Sequence, residues 1–278
     1  MKRAFVIGHP IGHSRSPLIH GHWLKTYGID GSYTPFDVRP DELRDFLGRI
    51  RSGEFVGGNV TVPHKEDAFR LVDHRDPETS HLGAFNTLVG RTGANGITIA
   101  GSNTDLYGFL ANLDQRAPGW SEGAENAIVL GAGGAARAIV AALAQRVSGN
   151  VHVLNRTVAR AEALIADLGT ANLAAHALED FAALAPTARL VVNTTTIGMH
   201  GTRFEGLTLD ALPKNALVTD IVYVPMQTPL LAEAATLGLR TVDGLGMLLH
   251  QAVPGFEAWF GNRPEVTPEL RAVIEATL

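Results

Sequence analysis

The stretch from Ala127 to Val147 constrains the fold more than any other. It is an apolar run ending at Leu130, then Gly131-Ala132-Gly133-Gly134-Ala135-Ala136, then a helical pattern. Strand, glycine turn and helix in that order open a βαβ unit, because glycines let the backbone turn tightly and keep its N–H groups approachable at the positive end of the helix dipole. Such an end receives a pyrophosphate. A second strand pattern, Val151-His152-Val153-Leu154, ends in Asn155-Arg156-Thr157, at the spacing where doubly wound folds place the residue facing an adenosine ribose. An acid there accepts from the ribose 2′-hydroxyl, whereas a guanidinium pairs with a 2′-phosphate through its fork of donors. Arg156, joined by Arg160 one helical turn later, therefore points to NADP as the cofactor.

Composition narrows the partners. The 278 residues are 45% hydrophobic and 18% charged, enough for two α/β domains, and the net charge of −5 has no block of like charge that could track a nucleic acid. There is no cysteine, which excludes disulfides, thiolate metal sites and thiol nucleophiles. Met1-Lys2-Arg3-Ala4-Phe5-Val6-Ile7 has too few apolar residues before Gly8 for a signal-peptide core, and no stretch approaches the roughly 20 residues that span a bilayer. A cytoplasmic protein with no membrane partner is expected, and a homodimer is left open. The eleven histidines show no i, i+4 pair with a partner acid, and no Gly-x-Ser-x-Gly elbow follows a strand, so neither a metal site nor a hydrolase is expected.

The first hundred residues alternate strand and helix patterns. Ala4 to Ile7 reads as a strand, Ser16-Pro17 as N-cap and first helical position of a helix to about Tyr27, and Pro40-Asp41 as the start of a helix with Leu43, Phe46, Leu47 and Ile50 on one face. Phe55 to Val62 reads as a strand, Pro63 as the start of a short helix, and Asn86 to Val89 with Ile97 to Ala100 as a strand pair. Beyond the glycine turn, Leu190 to Asn193 and Leu217 to Ile221 read as buried strands and Thr228 to Leu237 as a helix. The Ala- and Leu-rich tract from Ala159 to Leu184 reads as helix with poor boundaries, and the chain is helical again after Asp243-Gly244. The expected fold class is α/β with two domains: an N-terminal substrate domain of residues 1–105 completed by 241–278, and a Rossmann-like doubly wound domain of residues 106–240, with the active site in the cleft.

Five motifs stand out together. They are His13-Ser14-Arg15-Ser16-Pro17, Asn59-Val60-Thr61-Val62-Pro63-His64-Lys65, Gly83-Ala84-Phe85-Asn86-Thr87, Asn103-Thr104-Asp105, and Asp243-Gly244-Leu245-Gly246-Met247 through Gln251. In this order and spacing the chain resembles the shikimate dehydrogenase family over essentially its whole length. That resemblance implies reversible NADPH-dependent reduction of 3-dehydroshikimate to shikimate, on the route to aromatic amino acids. By it, Ser14, Ser16 and Tyr223 hold the substrate carboxylate, Thr61, Asn86 and Gln251 hold the ring hydroxyls, and Lys65 with Asp105 forms the catalytic pair that also touches substrate. Burial disfavours an ammonium while a neighbouring carboxylate favours it, so which of the pair passes the proton stays open. On the cofactor side the resemblance adds Gly131, Ala132, Gly133, Gly134 and Ala135 in the turn, Asn155, Arg156, Thr157 and Arg160 at the adenosine end, and Thr194, Ile221, Gly244 and Met247 around the nicotinamide.

Two departures and two rivals accompany it. Gly101-Ser102-Asn103-Thr104-Asp105 lacks the second acid of the family's frequent Gly-Asp-Asn-Thr-Asp, and position 77, where an acid can face the cofactor, is Pro77. The rivals are a quinate/shikimate dehydrogenase of broader substrate and cofactor use, against which Arg156 speaks, and a non-catalytic NADP-binding sensor, against which Lys65, Asp105, Asn86 and Gln251 speak together.

Overall fold

The computed structural model describes all 278 residues. In chain order the elements are β1 (Lys2–Gly8), α1 (Ser16–Thr26), β2 (Gly31–Asp37), α2 (Leu43–Arg51), β3 (Gly57–Val60), α3 (Lys65–Leu71), β4 (His74–Arg75), β5 (Thr87–Gly93) and β6 (Gly96–Ser102). There follow α4 (Asp105–Arg116), β7 (Asn126–Leu130), α5 (Gly134–Ala144), β8 (Val151–Asn155), α6 (Val158–Leu168), β9 (Leu173–Ala177), α7 (Phe181–Leu184), β10 (Ala188–Asn193), β11 (Ile197–His200) and β12 (Leu217–Asp220). The chain closes with α8 (Pro229–Thr236), β13 (Arg240–Val242), α9 (Leu245–His250), α10 (Ala252–Phe260) and α11 (Pro268–Glu275). None of these helices is long and apolar enough to cross a membrane.

The chain forms two compact units, Met1–Thr104 with Gln251–Thr277, and Asp105–His250. The first holds a mixed sheet in the order β2-β1-β3-β5-β6-β4, with β3, β5 and β6 antiparallel in succession. On one side α2 buries Leu43, Phe46, Leu47 and Ile50 against Phe5, Ile7 and Phe55, the stripe its spacing predicts. α1 and α10 bring Trp23, Phe256 and Trp259 together, and the Trp259 indole N–H donates to the Leu88 carbonyl at 2.8 Å.

Not every expected boundary survives. β3 is four residues long rather than the eight of Phe55 to Val62, and Pro63 lies in a turn, closed by the His64 N–H on the Thr61 carbonyl, before α3 begins at Lys65. α1 does start at Ser16, but the hydroxyl that accepts the Ser16 N–H is that of Ser14, at 3.3 Å. The sequence pattern does not predict β2, because Gly31-Ser32-Tyr33-Thr34-Pro35-Phe36-Asp37 carries one buried residue and no clean alternation.

The second unit is an all-parallel sheet in the order β13-β12-β10-β7-β8-β9. Helices on both faces make its central strands continuous apolar runs, and Ile128, Leu130, Val191 and Val218 are fully buried. The order reverses between β7 and β10, the switch point at which ligands bind outside the carboxyl ends of such sheets. The Ala-rich tract expected to be helix holds a strand, β9: its Leu173-Ala174-Ala175-His176-Ala177 pairs with β8, and sheet pairing overrides a helix-favouring composition. The chain crosses back to the first unit at Gln251, ten residues later than residue 241, because β13 completes the second sheet and α9 packs on α4.

Candidate active site

In the first unit, hydrogen bonds fix how the expected substrate residues present themselves. The Asn86 carboxamide oxygen accepts from the Thr104 backbone N–H at 2.8 Å, the Thr87 hydroxyl at 3.0 Å and the Thr104 hydroxyl at 3.2 Å. With that oxygen filled, the amide orientation is set, and the Asn86 NH₂ donates to the Gln251 carboxamide oxygen at 3.4 Å. The Lys65 carbonyl accepts from the Phe85 N–H at 2.9 Å, so the lysine at the head of α3 is held beside the segment Phe85-Asn86 that leads into β5. Thr61 stands where a Cβ on Gly8 would come within 2.6 Å of its methyl. Its N–H is tied to the Ile7 carbonyl at 2.8 Å.

Beneath these residues lies a buried layer that motif spacing does not single out. Asn59 accepts from the Tyr33 hydroxyl at 2.6 Å and donates to the Asn86 carbonyl at 3.1 Å and the Thr87 hydroxyl at 3.2 Å. One buried polar chain therefore runs Tyr33–Asn59–Asn86. Asn59 is legible within its motif, but Tyr33 sits on β2, the strand the pattern misses.

His20 closes this layer, fully buried and stacked on Tyr33 at 4.0 Å between ring centroids. Neither of its ring nitrogens makes a hydrogen bond of normal geometry. Burial pushes the imidazole down to about 3 from 6.5, against a smaller upward pull from Asn59. The unfolded chain therefore binds this proton near pH 6.5 while the folded chain does not, and stability falls as pH drops from 6.5 toward 3. The slope expected from this one residue is about 1.4 kcal/mol per pH unit. Urea unfolding of the wild type and of His20→Phe at pH 7 and pH 5 measures it. The wild type should lose more stability between the two values than the variant, and equal losses would place the acid sensitivity elsewhere.

In the second unit the expected cofactor residues line the carboxyl edge of the sheet. Gly131 follows β7 with φ +105°, a conformation that favours glycine, and a Cβ there would lie 2.7 Å from Thr195 and 2.8 Å from Thr194. Gly133 and Gly134, at the start of α5, face open space, so nothing of the chain blocks approach to their backbone. Bare backbone at the head of an eleven-residue helix fits a pyrophosphate. Thr194 follows β10 and donates its hydroxyl to the Leu130 carbonyl at 2.8 Å. Ile221 follows β12, its N–H on the Asn193 carbonyl at 3.1 Å, and a Cβ on Gly244 would lie 2.4 Å from the Ile221 carbonyl oxygen. Met247 is half-buried in the first turn of α9.

At the other end, Asn155 closes the turn after β8 by donating its amide to the Thr157 carbonyl at 2.8 Å. Arg156 and Thr157 stand exposed in that turn and Arg160 in the first turn of α6, and no acid of the chain pairs with either guanidinium. From β13 to β8 is four strand spacings of about 4.8 Å, roughly 19 Å, a span an extended dinucleotide can cover.

Asp220 organises the loops on this edge. Fully buried at the end of β12, it accepts from Asn193 at 2.9 Å, the Val222 N–H at 2.9 Å and the Thr228 hydroxyl at 2.7 Å, and desolvation pushes its carboxyl above the usual range. Tyr223 stands half-buried in the loop that Asp220 thereby fixes. Asp220→Ala strands three donors and is expected to destabilise the protein by about 3 kcal/mol in urea unfolding. A loss below about 0.5 kcal/mol would contradict the anchoring role. Tyr223 and Asp105 belong to the second unit and the remaining expected substrate residues to the first. Asp105 follows directly on Thr104, whose N–H is the one bound by Asn86.

Fold and site define a class: a two-domain α/β protein that pairs a Rossmann-type unit, with an exposed arginine just after its second strand, with a unit presenting amides, hydroxyls and a lysine. Three family models match in sequence: the shikimate dehydrogenase substrate binding domain over residues 6–88, shikimate / quinate 5-dehydrogenase over residues 115–242, and the shikimate 5′-dehydrogenase C-terminal domain over residues 244–274. The chain belongs to the shikimate dehydrogenase family. A shikimate dehydrogenase (NADP(+)) of Mesorhizobium japonicum is 54% identical over 100% of this chain and 97% of its own. Among solved structures, shikimate 5-dehydrogenase of Thermus thermophilus, in complex with NADP(H) and shikimate, is 35% identical with a TM-score of 0.81 and full coverage of both chains. Quinate dehydrogenase of Corynebacterium glutamicum, in complex with NAD, is 28% identical with a TM-score of 0.88, covering 100% of this chain and 99% of the other.

Proposed function

We propose that the protein is an NADP-dependent shikimate dehydrogenase, reducing 3-dehydroshikimate to shikimate reversibly. The observation that carries this is Asn86: three donors fill its carboxamide oxygen, so it presents an NH₂ to an oxygen-rich ring. Thr61 and Gln251 complete the contacts to the ring hydroxyls. Ser14, Ser16 and Tyr223 take the carboxylate. NADPH, when bound, supplies the hydride. Its adenosine 2′-phosphate would be held by Arg156, Thr157 and Arg160 with Asn155, its pyrophosphate by the Gly131–Ala135 turn, and its nicotinamide end by Thr194, Ile221, Gly244 and Met247. Lys65 gives its ammonium proton to the C3 oxygen as the hydride arrives and takes it back in the oxidative direction, and Asp105 orients the lysine and the C3 hydroxyl. The protein is placed in the cytoplasm, and a homodimer is the assembly to test first, by sedimentation.

The test follows NADPH absorbance with shikimate and with quinate, each against NADP and NAD. Shikimate with NADP should give the highest kcat/KM of the four. No turnover of shikimate with either cofactor would overturn the proposal, and preference for quinate with NAD would favour the broader dehydrogenase.

A further inference from the structure

α4 and α9 of the second unit meet through one residue that the proposed chemistry does not use. Asn112 lies seven residues after Asp105 on the same face of α4 and is 2% exposed. Its NH₂ donates to the Asp243 carbonyl at 2.9 Å. The Asp243 carboxylate in turn accepts the Leu245 N–H at 3.1 Å and so caps the start of α9. The Asn112 carboxamide oxygen has no hydrogen-bond partner and lies against Gly246, where a Cβ would fall 1.8 Å from it and 2.5 Å from the amide carbon. A buried amide left half-satisfied is costly, and an apolar residue would fill the same space at less cost. Stability of the helix pair is therefore not what the amide is suited to provide. It grips the one carbonyl that immediately precedes Gly244, and Gly244 is pressed on its other side against the Ile221 carbonyl.

We propose that Asn112 is a positioning residue for the nicotinamide end of the cofactor: paired with the bare backbone of Gly246, it holds the Asp243–Met247 segment in register with Ile221. This rests on the NADP reading of the second unit. α4 also carries Asp105 as its first residue, so one helix sets both the carboxylate of the catalytic pair and the floor of the nicotinamide pocket.

The test separates packing from positioning with Gly246→Ala, Asn112→Ala and the double variant, each read by thermal unfolding and by the NADPH dissociation constant from fluorescence titration. Gly246→Ala drives a methyl into the Asn112 amide and should lower both Tm and NADPH affinity. The double variant gives that methyl room and should recover most of the Tm. It still lacks the donor to the Asp243 carbonyl, so its NADPH dissociation constant, like that of Asn112→Ala, should stay raised about tenfold. KM for shikimate in the double variant should remain within about twofold, since no ring contact is touched. A double variant that recovers Tm and binds NADPH within about threefold of wild type would overturn the proposal, because packing alone would then explain the pair. Wild-type protein that does not bind NADPH at all overturns this inference together with the cofactor reading beneath it.

Discussion

Lys65→Ala is expected to cut turnover by a factor of roughly 10² to 10⁴ and to leave NADPH binding nearly unchanged. The Lys65 carbonyl accepts the Phe85 N–H at 2.9 Å, and alanine keeps that main-chain bond. The side chain is only half-buried, at the first position of α3, so its removal opens no cavity and should move Tm little. The proposed cofactor residues belong to the other compact unit, so NADPH titration of the variant should match wild type. Lys65→Arg should be nearly as inactive, because a guanidinium keeps the charge but does not release its proton. That contrast excludes a purely electrostatic role, which arginine would satisfy. Retention by Lys65→Ala of more than about a tenth of the wild-type rate would remove Lys65 from proton transfer.

Why the lysine proposed to be catalytic is legible in the sequence and the buried layer beneath it is not comes down to what sequence patterns record. Lys65, Asn86 and Asp105 stand in strings whose neighbours are also polar or small, and apolar burial alone gives no reason for Asn-Val-Thr-Val-Pro-His-Lys. The glycine turn is legible for the same reason, since Gly131 at φ +105° tolerates no other residue without strain and its spacing to Arg156 follows from strand–helix–strand geometry. Tyr33 carries no such mark. It lies on a strand with one buried residue, and its hydroxyl meets Asn59, 26 positions away, only once β1 has placed β2 and β3 on its two sides. Asp220 and Asn193 are similar: each reads as a strand-end polar residue, and their partnership depends on β10 and β12 being neighbours. β9 escapes for the opposite reason, because alanine and leucine report helix propensity locally while the decisive term, pairing with β8, is non-local.

The largest effect expected on the cofactor side is that of Arg156→Asp, which should shift the preference for NADP over NAD by on the order of a hundredfold or more. Arg156 is exposed at the end of β8 and no acid of the chain pairs with it, so the exchange breaks no internal ion pair and should cost little stability. Its charge is thus uncommitted within the chain. With NADP the exchange would remove the proposed charge-assisted pair with the 2′-phosphate and add carboxylate repulsion against a dianion. In NAD the same carboxylate accepts from the 2′-hydroxyl, so the two changes move the ratio in one direction. Arg160, in the first turn of α6, should retain part of the phosphate attraction, which makes Arg156→Asp with Arg160→Ala the stronger switch. Because both guanidiniums are exposed, that attraction is screened: raising salt from about 0.01 to about 0.3 M should raise the wild-type KM for NADP while leaving that for NAD nearly flat. The measurement is kcat/KM for NADP and NAD with shikimate for each variant. An unchanged ratio in Arg156→Asp would take the residue out of cofactor choice.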